Sequence, residues 1–218
     1  MQTDDGRILI RNETPDDFKA VESLTRSAFW NVNAPGCDEH CLVHTMRSHR
    51  DFIPELDFVL FYEGRLAANV MYARSRLVDE AGNEKTVLTF GPLSVLPELQ
   101  RQGLSKLLLE HSFEKARSLG YDTIVIFGNP ENYIARGFQS CKKLGVSLDG
   151  GVFPTALLVK ELTSGALGGK AYTYRESDAF EVDPKEAEEF DGTFPPLEKA
   201  YRKSQELFYI YSHSCVVR

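Results

Sequence analysis

Long apolar runs are missing from this sequence, and so is any excess of basic residues. No uninterrupted apolar stretch approaches the roughly 20 residues that a membrane-spanning helix requires. The opening residues, Met1-Gln2-Thr3-Asp4-Asp5-Gly6, lack the apolar core of a secretory leader. A cytoplasmic protein with no membrane partner is therefore expected. Lys and Arg number 25 against 32 Asp and Glu, a formal charge of −7. Nucleic-acid phosphates are bound by basic faces, so no nucleic-acid partner is expected. Cationic substrates are compatible with this balance but not required by it. Cysteine is scarce as well. In a chain of this length without a leader, Cys37, Cys41, Cys141 and Cys215 read as reduced thiols and not as a disulfide framework. No internal repeat is visible.

What remains is ordinary globular material: 218 residues, 42% hydrophobic and 26% charged, enough for a sizeable core. Arg7 to Arg11 reads as a short strand. Thr14-Pro15-Asp16-Asp17 then supplies an N-cap, a proline in the first turn and early acids, the signature of a helix start. Phe18, Val21, Leu24, Thr25 and Ala28 mark one face of that helix. After a loop from Trp30 to Gly36, Asp38 can cap a second helix reaching about Arg50. Asp57 to Tyr62 and Arg65 to Val78 are strands joined by a Glu63-Gly64 turn. A further turn at Glu80 to Asn83 leads to the most informative stretch.

That stretch runs from Thr86 to Ser105. An apolar, β-branched segment meets a proline-marked turn, and then Gly103 stands at the mouth of a leucine-rich helix. First-turn N–H groups lack partners within their own helix, and the helix dipole adds partial positive charge. A glycine there lets a phosphate or pyrophosphate approach closely. Leu104, Leu107, Leu108, His111, Ala116 and Leu119 mark the helix face, and Gly120 is a fitting C-cap. Tyr121 to Phe127 is a continuous apolar strand. Reached through one crossover helix, it is expected to lie parallel to the strand before Gly103. Gly128-Asn129-Pro130 breaks it, Glu131 to Arg136 forms a short helix, and strands are expected near Lys142–Leu148 and Thr155–Glu161. From Thr163 the texture changes to small, flexible residues. Glu176, Asp178, Glu181, Asp183, Glu186, Glu188, Glu189 and Asp191 follow, opposed only by Lys185. Two readings stand side by side: an appendage packed on the main domain, ending in a helix from Leu197 to Tyr209, or a solvated acidic tail.

Two motifs carry a resemblance. Gln100-x-x-Gly103-x-Ser105 is similar to the Arg/Gln-x-x-Gly-x-Gly/Ala signature of the GNAT N-acetyltransferase superfamily. Tyr133, four residues before Gly137-Phe138, is placed like that family's tyrosine. Gly91-Pro92-Leu93-x-Val95-x-Pro97-x-x-Gln100 resembles its small bacterial, predicted N-acetyltransferase subgroup. The resemblance spans about Arg7 to Glu161. It implies an α/β (α+β) fold with a mixed, mostly antiparallel central sheet and helices on both faces. It also implies a splayed central parallel strand pair and, here, a C-terminal appendage. The expected division is residues 1–162 as the GNAT-like domain and 163–218 as an acidic extension packed on it.

The resemblance further implies acetyl-CoA as co-substrate. Leu93 and Val95 would hold the pantetheine through their main chain, with Val95 presenting a backbone N–H to the thioester oxygen. Gln100, Arg101, Gln102, Gly103, Leu104 and Ser105 would cradle the pyrophosphate, with Asn129 and Tyr133 completing the cofactor site. Ser105 stands where the family has glycine or alanine, and Ile134 and Ala135 replace the subgroup's usual proline and arginine. Val95 and Tyr133 are the expected catalytic groups: an oxyanion-type donor, and a phenol with ordinary pKa near 10 that protonates the departing thiolate. Tyr133 packed beside the cofactor is the plainer alternative. No carboxylate lies between Thr86 and Leu96, so a general base is not evident. Glu63, Glu98, His40 and His44 are the remaining candidates, beside a water chain or direct entry of the neutral amine. The Cys37, Cys41 and His44 set invites a zinc reading, but lacks a second ligand pair, so no metal is expected. Trp30 to Asn33 falls where the superfamily forms one acceptor wall, although a buried core tryptophan also fits. His111 reads as a core histidine.

Three functional readings follow from the sequence. The first is an acetyl-CoA-dependent N-acetyltransferase acting on a small-molecule amine or a peptide or protein amine. The second is an acetyl-CoA or CoA sensor without turnover, and the third a cofactor-free interaction domain. A homodimer stays open.

Overall fold

A computed structural model describes Met1 and residues 6–216 of the chain. The first strand, β1 (Ile8–Asn12), leads into a capped turn at Thr14. Thr14 N and Oγ1 donate to Asp17 Oδ2 at 2.8 and 2.7 Å, while Arg11 grips the same carboxylate from the strand at 2.6 and 2.8 Å. These donors, Arg11 first, hold the Asp17 carboxyl well below the usual carboxylate range. Helix α1 (Phe18–Phe29) follows, then α2 (Glu39–Met46), four residues shorter than the sequence suggests. Strands β2 (Phe58–Tyr62), β3 (Arg65–Asp79) and β4 (Glu84–Val95) form a meander. Helix α3 (Leu104–Ser118), strand β5 (Thr123–Phe127) and the single turn α4 (Pro130–Tyr133) come next.

Short strands β6 (Gln139–Ser140), β7 (Val146–Ser147) and β8 (Phe153–Pro154) precede β9 (Leu157–Glu161). The strand expected over Lys142–Leu148 is mostly a 3-10 turn, Cys141–Leu144, and only Val146–Ser147 is extended. Gly145, in a left-handed conformation with φ 68°, separates the two. The chain ends with β10 (Tyr172–Arg175), α5 (Pro184–Asp191), α6 (Lys203–His213) and β11 (Cys215–Val216).

Among the described residues nine strands make one sheet in the order β1-β2-β3-β4-β5-β9-β6, with β10 joining β3 and β7. All pairings but β4–β5 and β10–β7 are antiparallel. Period-2 alternation sorts β3 between two layers. Val70 and Tyr72 face α3 with Leu104 and Leu108, whereas Met71 and Ala73 face α1 and α2 with Val21, Val43 and Met46. Helices therefore cover both faces. On α3 the buried stripe is Leu104, Leu108, Leu109, Ser112, Phe113 and Ala116, while Leu119 is exposed beyond the helix end. His111 lies half-buried edge-on to Phe58 at 4.8 Å, and burial lowers its pKa.

Strands β4 and β5 share a single register pair, Leu88 with Ile124. Beyond it β4 continues to Val95 and β5 to Phe127 without a ladder, so the parallel pair opens into a wedge at its C-terminal end.

Residues 172–216 return over the sheet and this wedge. Strand β10 extends the sheet beside the far half of β3, Tyr172 opposite Asp79 and Arg175 opposite Arg76. Helix α5 then docks on α1 and α2. Asp191 Oδ1 lies 2.6 Å from Arg26 Nε and 3.2 Å from His40 Nε2. The His40 ring sits 5.5 Å from Phe190 and 5.2 Å from Phe194. Asn31 ties down the next turn: its Oδ1 accepts from Gly36 N and Ala200 N, and its Nδ2 donates to Glu198 O. Helix α6 crosses the wedge as a strap fixed at both ends. Ser204 Oγ donates to Val32 O at 2.8 Å, and Thr155 N to Ser214 O at 2.8 Å, where β11 pairs with β8. No helix among the described residues is long and apolar enough to cross a membrane.

Candidate functional site

Two adjoining hollows occupy the wedge. The first, about 430 Å³, is lined by Leu93, Val95, Leu99, Gln100, Arg101, Leu104, Ser105, Asn132, Tyr133 and Arg136, with Ala28, Phe29 and Val32 of the α1 side. The second, about 420 Å³, shares Phe29, Val32, Leu93, Asn132 and Tyr133, and continues beneath α6. Both fall in the usual range of small-molecule sites, about 300–1,000 Å³.

Strand geometry decides which backbone groups face the first hollow. Leu96 N donates to Ala67 O of the β3 side. Because N–H and C=O of one strand residue point to the same edge and alternate between residues, Val95 and Leu93 turn theirs to the opposite, open edge. The Gln100 side chain confirms this edge by donating to Val95 O at 3.2 Å.

The loop to α3 ends at Gly103, which caps the helix at φ 87°, and Arg101 is also left-handed at φ 61°. A Cβ built on Gly103 would meet nothing within 4 Å, so the space over the first helical turn is open. Gln102 turns back to donate to Glu98 O at 3.2 Å, and its side chain is absent from the lining. Arg136, which the tyrosine segment contains but to which the sequence assigned no role, reaches this loop. Its Nη2 donates to Ser105 Oγ at 3.1 Å and its Nη1 to Asn132 O at 2.6 Å. Its Nε is buried with no hydrogen-bond partner among the described residues. A cation with an orphaned donor therefore stands beside the first turn of α3.

Tyr133 stands on the partition between the hollows. Phe90 and Phe138 surround it at ring distances of 5.7 and 5.6 Å. A Cβ on Gly128 would lie only 2.6 Å from Tyr133 Cε2, so glycine is what admits the ring. Burial pushes its phenol up to about 12, above the ordinary value expected from sequence. Asn129 faces the second hollow, where its Oδ1 accepts from Glu131 N and caps α4.

The second hollow is walled by aromatic and aliphatic groups, among them Phe90, Phe127, Phe180, Leu207, Phe208 and Tyr211. Its charged lining residues are Glu39 and Glu176, with no Lys, Arg or His among the described ones. Glu39 Oε1 accepts from Asn33 Nδ2 at 2.9 Å, and burial pushes this carboxyl up to about 7. Glu176 retains solvent contact, yet the surrounding protein and then Glu181 push it up to about 7. Tyr174 Oη donates to Glu176 Oε1 at 3.4 Å and lies 2.6 Å from Thr89 Oγ1 of β4.

The base candidates raised by the sequence lie elsewhere. Glu63 pairs with Arg7, Glu98 with Arg65, and His44 with Glu22, while His40 is buried against α5. Glu176 was hidden in an acidic run, and only the return of β10 to the sheet brings it to the wedge. Trp30 is neither free wall nor buried core: Arg26 stacks on it at 4.4 Å and its Nε1 donates to Glu198 O at 3.0 Å. Cys37, Cys41 and His44 do not converge. Cys37 Sγ lies against His40 Nδ1 at 3.5 Å, Cys41 is buried, and His44 engages Glu22.

The model of the acetyltransferase (GNAT) family matches residues 25–145, more than half of the chain. Two uncharacterized N-acetyltransferases of Escherichia coli are similar in sequence. YjhQ is 26% identical over 100 residues, 46% of this chain and 55% of that protein, so the match spans about half of its length. YhbS is 29% identical over 133 residues, 61% of this chain and 74% of that protein. The crystal structure of YhbS in complex with CoA superposes with a TM-score of 0.68 at 24% identity, over 80% of this chain and 92% of that one. A GNAT acetyltransferase from Brucella melitensis in complex with acetyl-CoA gives 0.61 at 20% identity, over 80% and 98%. The fold is shared with both. The family match stops at residue 145, so β10, α5, α6 and Glu176 lie beyond it.

Proposed function

The chain belongs to the GNAT acetyltransferase family, and from that premise we infer that it transfers an acetyl group from acetyl-CoA to a primary amine. The observation that carries this reading is the convergence, on one hollow, of an open strand edge, a helix N-terminus and an orphaned arginine donor. Each suits a different part of the co-substrate. The Leu93 and Val95 main chain offers sheet-like bonds to an extended amide arm. The first-turn N–H groups of α3 and the Arg136 guanidinium offer donors and positive charge to a pyrophosphate. Nothing obstructs the approach at Gly103.

In this reading the Val95 N–H polarises the thioester carbonyl, a type of contact worth about 2.7–4 kcal/mol in other acyl transfers. Tyr133 donates its proton to the leaving thiolate. Raised to about 12, its phenol is fully protonated at neutral pH, so the proton is in place when the thiolate departs. The amine, of a small molecule or a peptide, enters from the second hollow. Residues 1–162 form the transferase unit in this proposal, and 163–218 pack against it to complete the acceptor wall.

Thermal unfolding with and without acetyl-CoA tests the donor half: a ligand at 100 times its Kd adds about 2.7 kcal/mol of stability. A thiol-release assay over a panel of amines tests the transfer. Stabilisation by acetyl-CoA with no turnover of any amine would replace this reading with a CoA-binding sensor.

A further inference from the structure

We propose that the second hollow is the acceptor chamber for a compact, apolar primary amine that lacks a carboxylate, and that Glu176, supplied by the C-terminal segment, receives the proton of its ammonium. This rests on the transferase reading and narrows its substrate.

Three features of the chamber select the class. Its walls are largely ring and aliphatic surface, so an apolar body is desolvated favourably there. Its only charged lining groups among the described residues are the two carboxyls Glu39 and Glu176, which attract a cation and repel an anion. Its roof is α6, fixed at Ser204 to Val32 and at Ser214 to Thr155, and the space beneath it amounts to about 420 Å³, the size of a small molecule.

Glu176 is placed for the chemistry by the hydroxyls behind it. Tyr174 bonds both Glu176 and Thr89, fixing the carboxyl beside the part of β4 that runs into Gly91 and Leu93. Phe180, four residues on, packs over Gly91, with its ring 3.7 Å from where a Cβ would sit. Glu39 is held by Asn33 on the opposite, helical wall, so it shapes the field without sharing this anchorage. Partial desolvation by the surrounding protein, with Glu181 nearby, brings Glu176 to about 7, where a carboxylate can take a proton and release it again. The transfer balances: the ammonium gives one proton to Glu176, and the free amine nitrogen bonds to the thioester carbon. The C–S bond then breaks, Tyr133 protonates the thiolate, and the second nitrogen proton leaves to solvent as Tyr133 is restored.

The experiment compares 2-phenylethylamine, phenylalanine and a tetrapeptide beginning with phenylalanine in the thiol-release assay, using the full chain. The first two differ by one carboxylate alone. The expected result is a kcat/KM for 2-phenylethylamine at least about tenfold above that for phenylalanine and for the tetrapeptide. Glu176→Gln should lower kcat for 2-phenylethylamine by about 100-fold, with the acetyl-CoA thermal shift retained as proof of folding. Preference for the amino acid or the peptide overturns the proposal while leaving the transferase reading intact. Undiminished turnover by Glu176→Gln overturns the role of Glu176. Absence of turnover with every amine, despite acetyl-CoA stabilisation, overturns both readings together.

Discussion

The hollow at the start of α3 and the hollow beneath α6 meet at Tyr133, yet they are assembled in opposite ways. Just over half of the first hollow's lining comes from one continuous run, Leu93 to Ser105, with Ala28, Phe29 and Val32 added from the α1 side and Asn132, Tyr133 and Arg136 from the segment after β5. The second draws on α1, α2, β4, the β5–α4 junction, the segment after β10 and α6. The first uses main-chain donors and a helix dipole, which depend little on side-chain identity. The second uses specific rings and carboxyls. A shared co-substrate can be served by backbone geometry, whereas an individual acceptor has to be matched by side chains. It is fitting that the family match covers the first region and ends before the C-terminal part of the second.

This contrast can be broken experimentally. The largest effect is expected from Gly103→Glu, which places a carboxylate and its bulk in the open space over the α3 N-terminus and adds strain at φ 87°. The acetyl-CoA thermal shift should vanish; a retained shift would mean that the donor cradle lies elsewhere. Tyr133→Phe comes next. It removes the hydroxyl at the partition and should reduce turnover by about 10²–10⁴-fold while leaving the thermal shift nearly intact. An unchanged turnover number would reduce Tyr133 to a packing residue.

Asp191→Asn separates the two regions by stability. Arg26 is buried, with 6% of its side chain accessible, and its ion pair with Asp191 anchors α5 to α1. Losing the partner of a buried charge should cost about 3 kcal/mol in denaturant unfolding, and KM for the amine should rise more than affinity for acetyl-CoA falls. Equal losses on both sides would show that the hollows are not independent. Gly128→Ala is the gentlest. Its Cβ, 2.6 Å from the Tyr133 ring, must push the phenol aside, and kcat should fall by about tenfold, or about 1.4 kcal/mol in the barrier. A wild-type kcat would show that the ring can move without consequence.

Legibility followed the same division. The Thr14-Pro15 turn that leads into α1, the Glu63-Gly64 hairpin and the Gly103 helix mouth were all readable, because caps, turns and first-turn glycines act within a few residues of themselves. The hydrophobic face of α3 was read only in part: Leu109 and Phe113 lie on the buried stripe, whereas Leu119 sits past the point where the sheet can cover it. Lys142–Leu148 misled, since its apolar spacing fits a strand while Gly145 breaks the segment after a 3-10 turn. The zinc reading of Cys37, Cys41 and His44 had no way to foresee that Arg26, His40 and Glu22 occupy the surroundings of those groups. Arg136 went unmarked because its partner Ser105 is 31 residues away.

The order of strands and helices from β1 to α4, the parallel crossover around α3 and the helix N-terminus aimed at a phosphate-sized space were determined by the sequence itself. Each is a local consequence of periodicity, glycine placement and turn chemistry. The tertiary structure alone decided what the acidic C-terminal run becomes. Charge composition treats Glu176 and Asp191 alike, whether in a packed appendage or in a solvated tail. Pairing of β10 with β3 draws Glu176 to the wedge, and docking of α5 on Arg26 and His40 seats Asp191 against α1 and α2. Contacts between residues more than ninety positions apart depend on where the whole sheet carries them, and no local pattern encodes that destination.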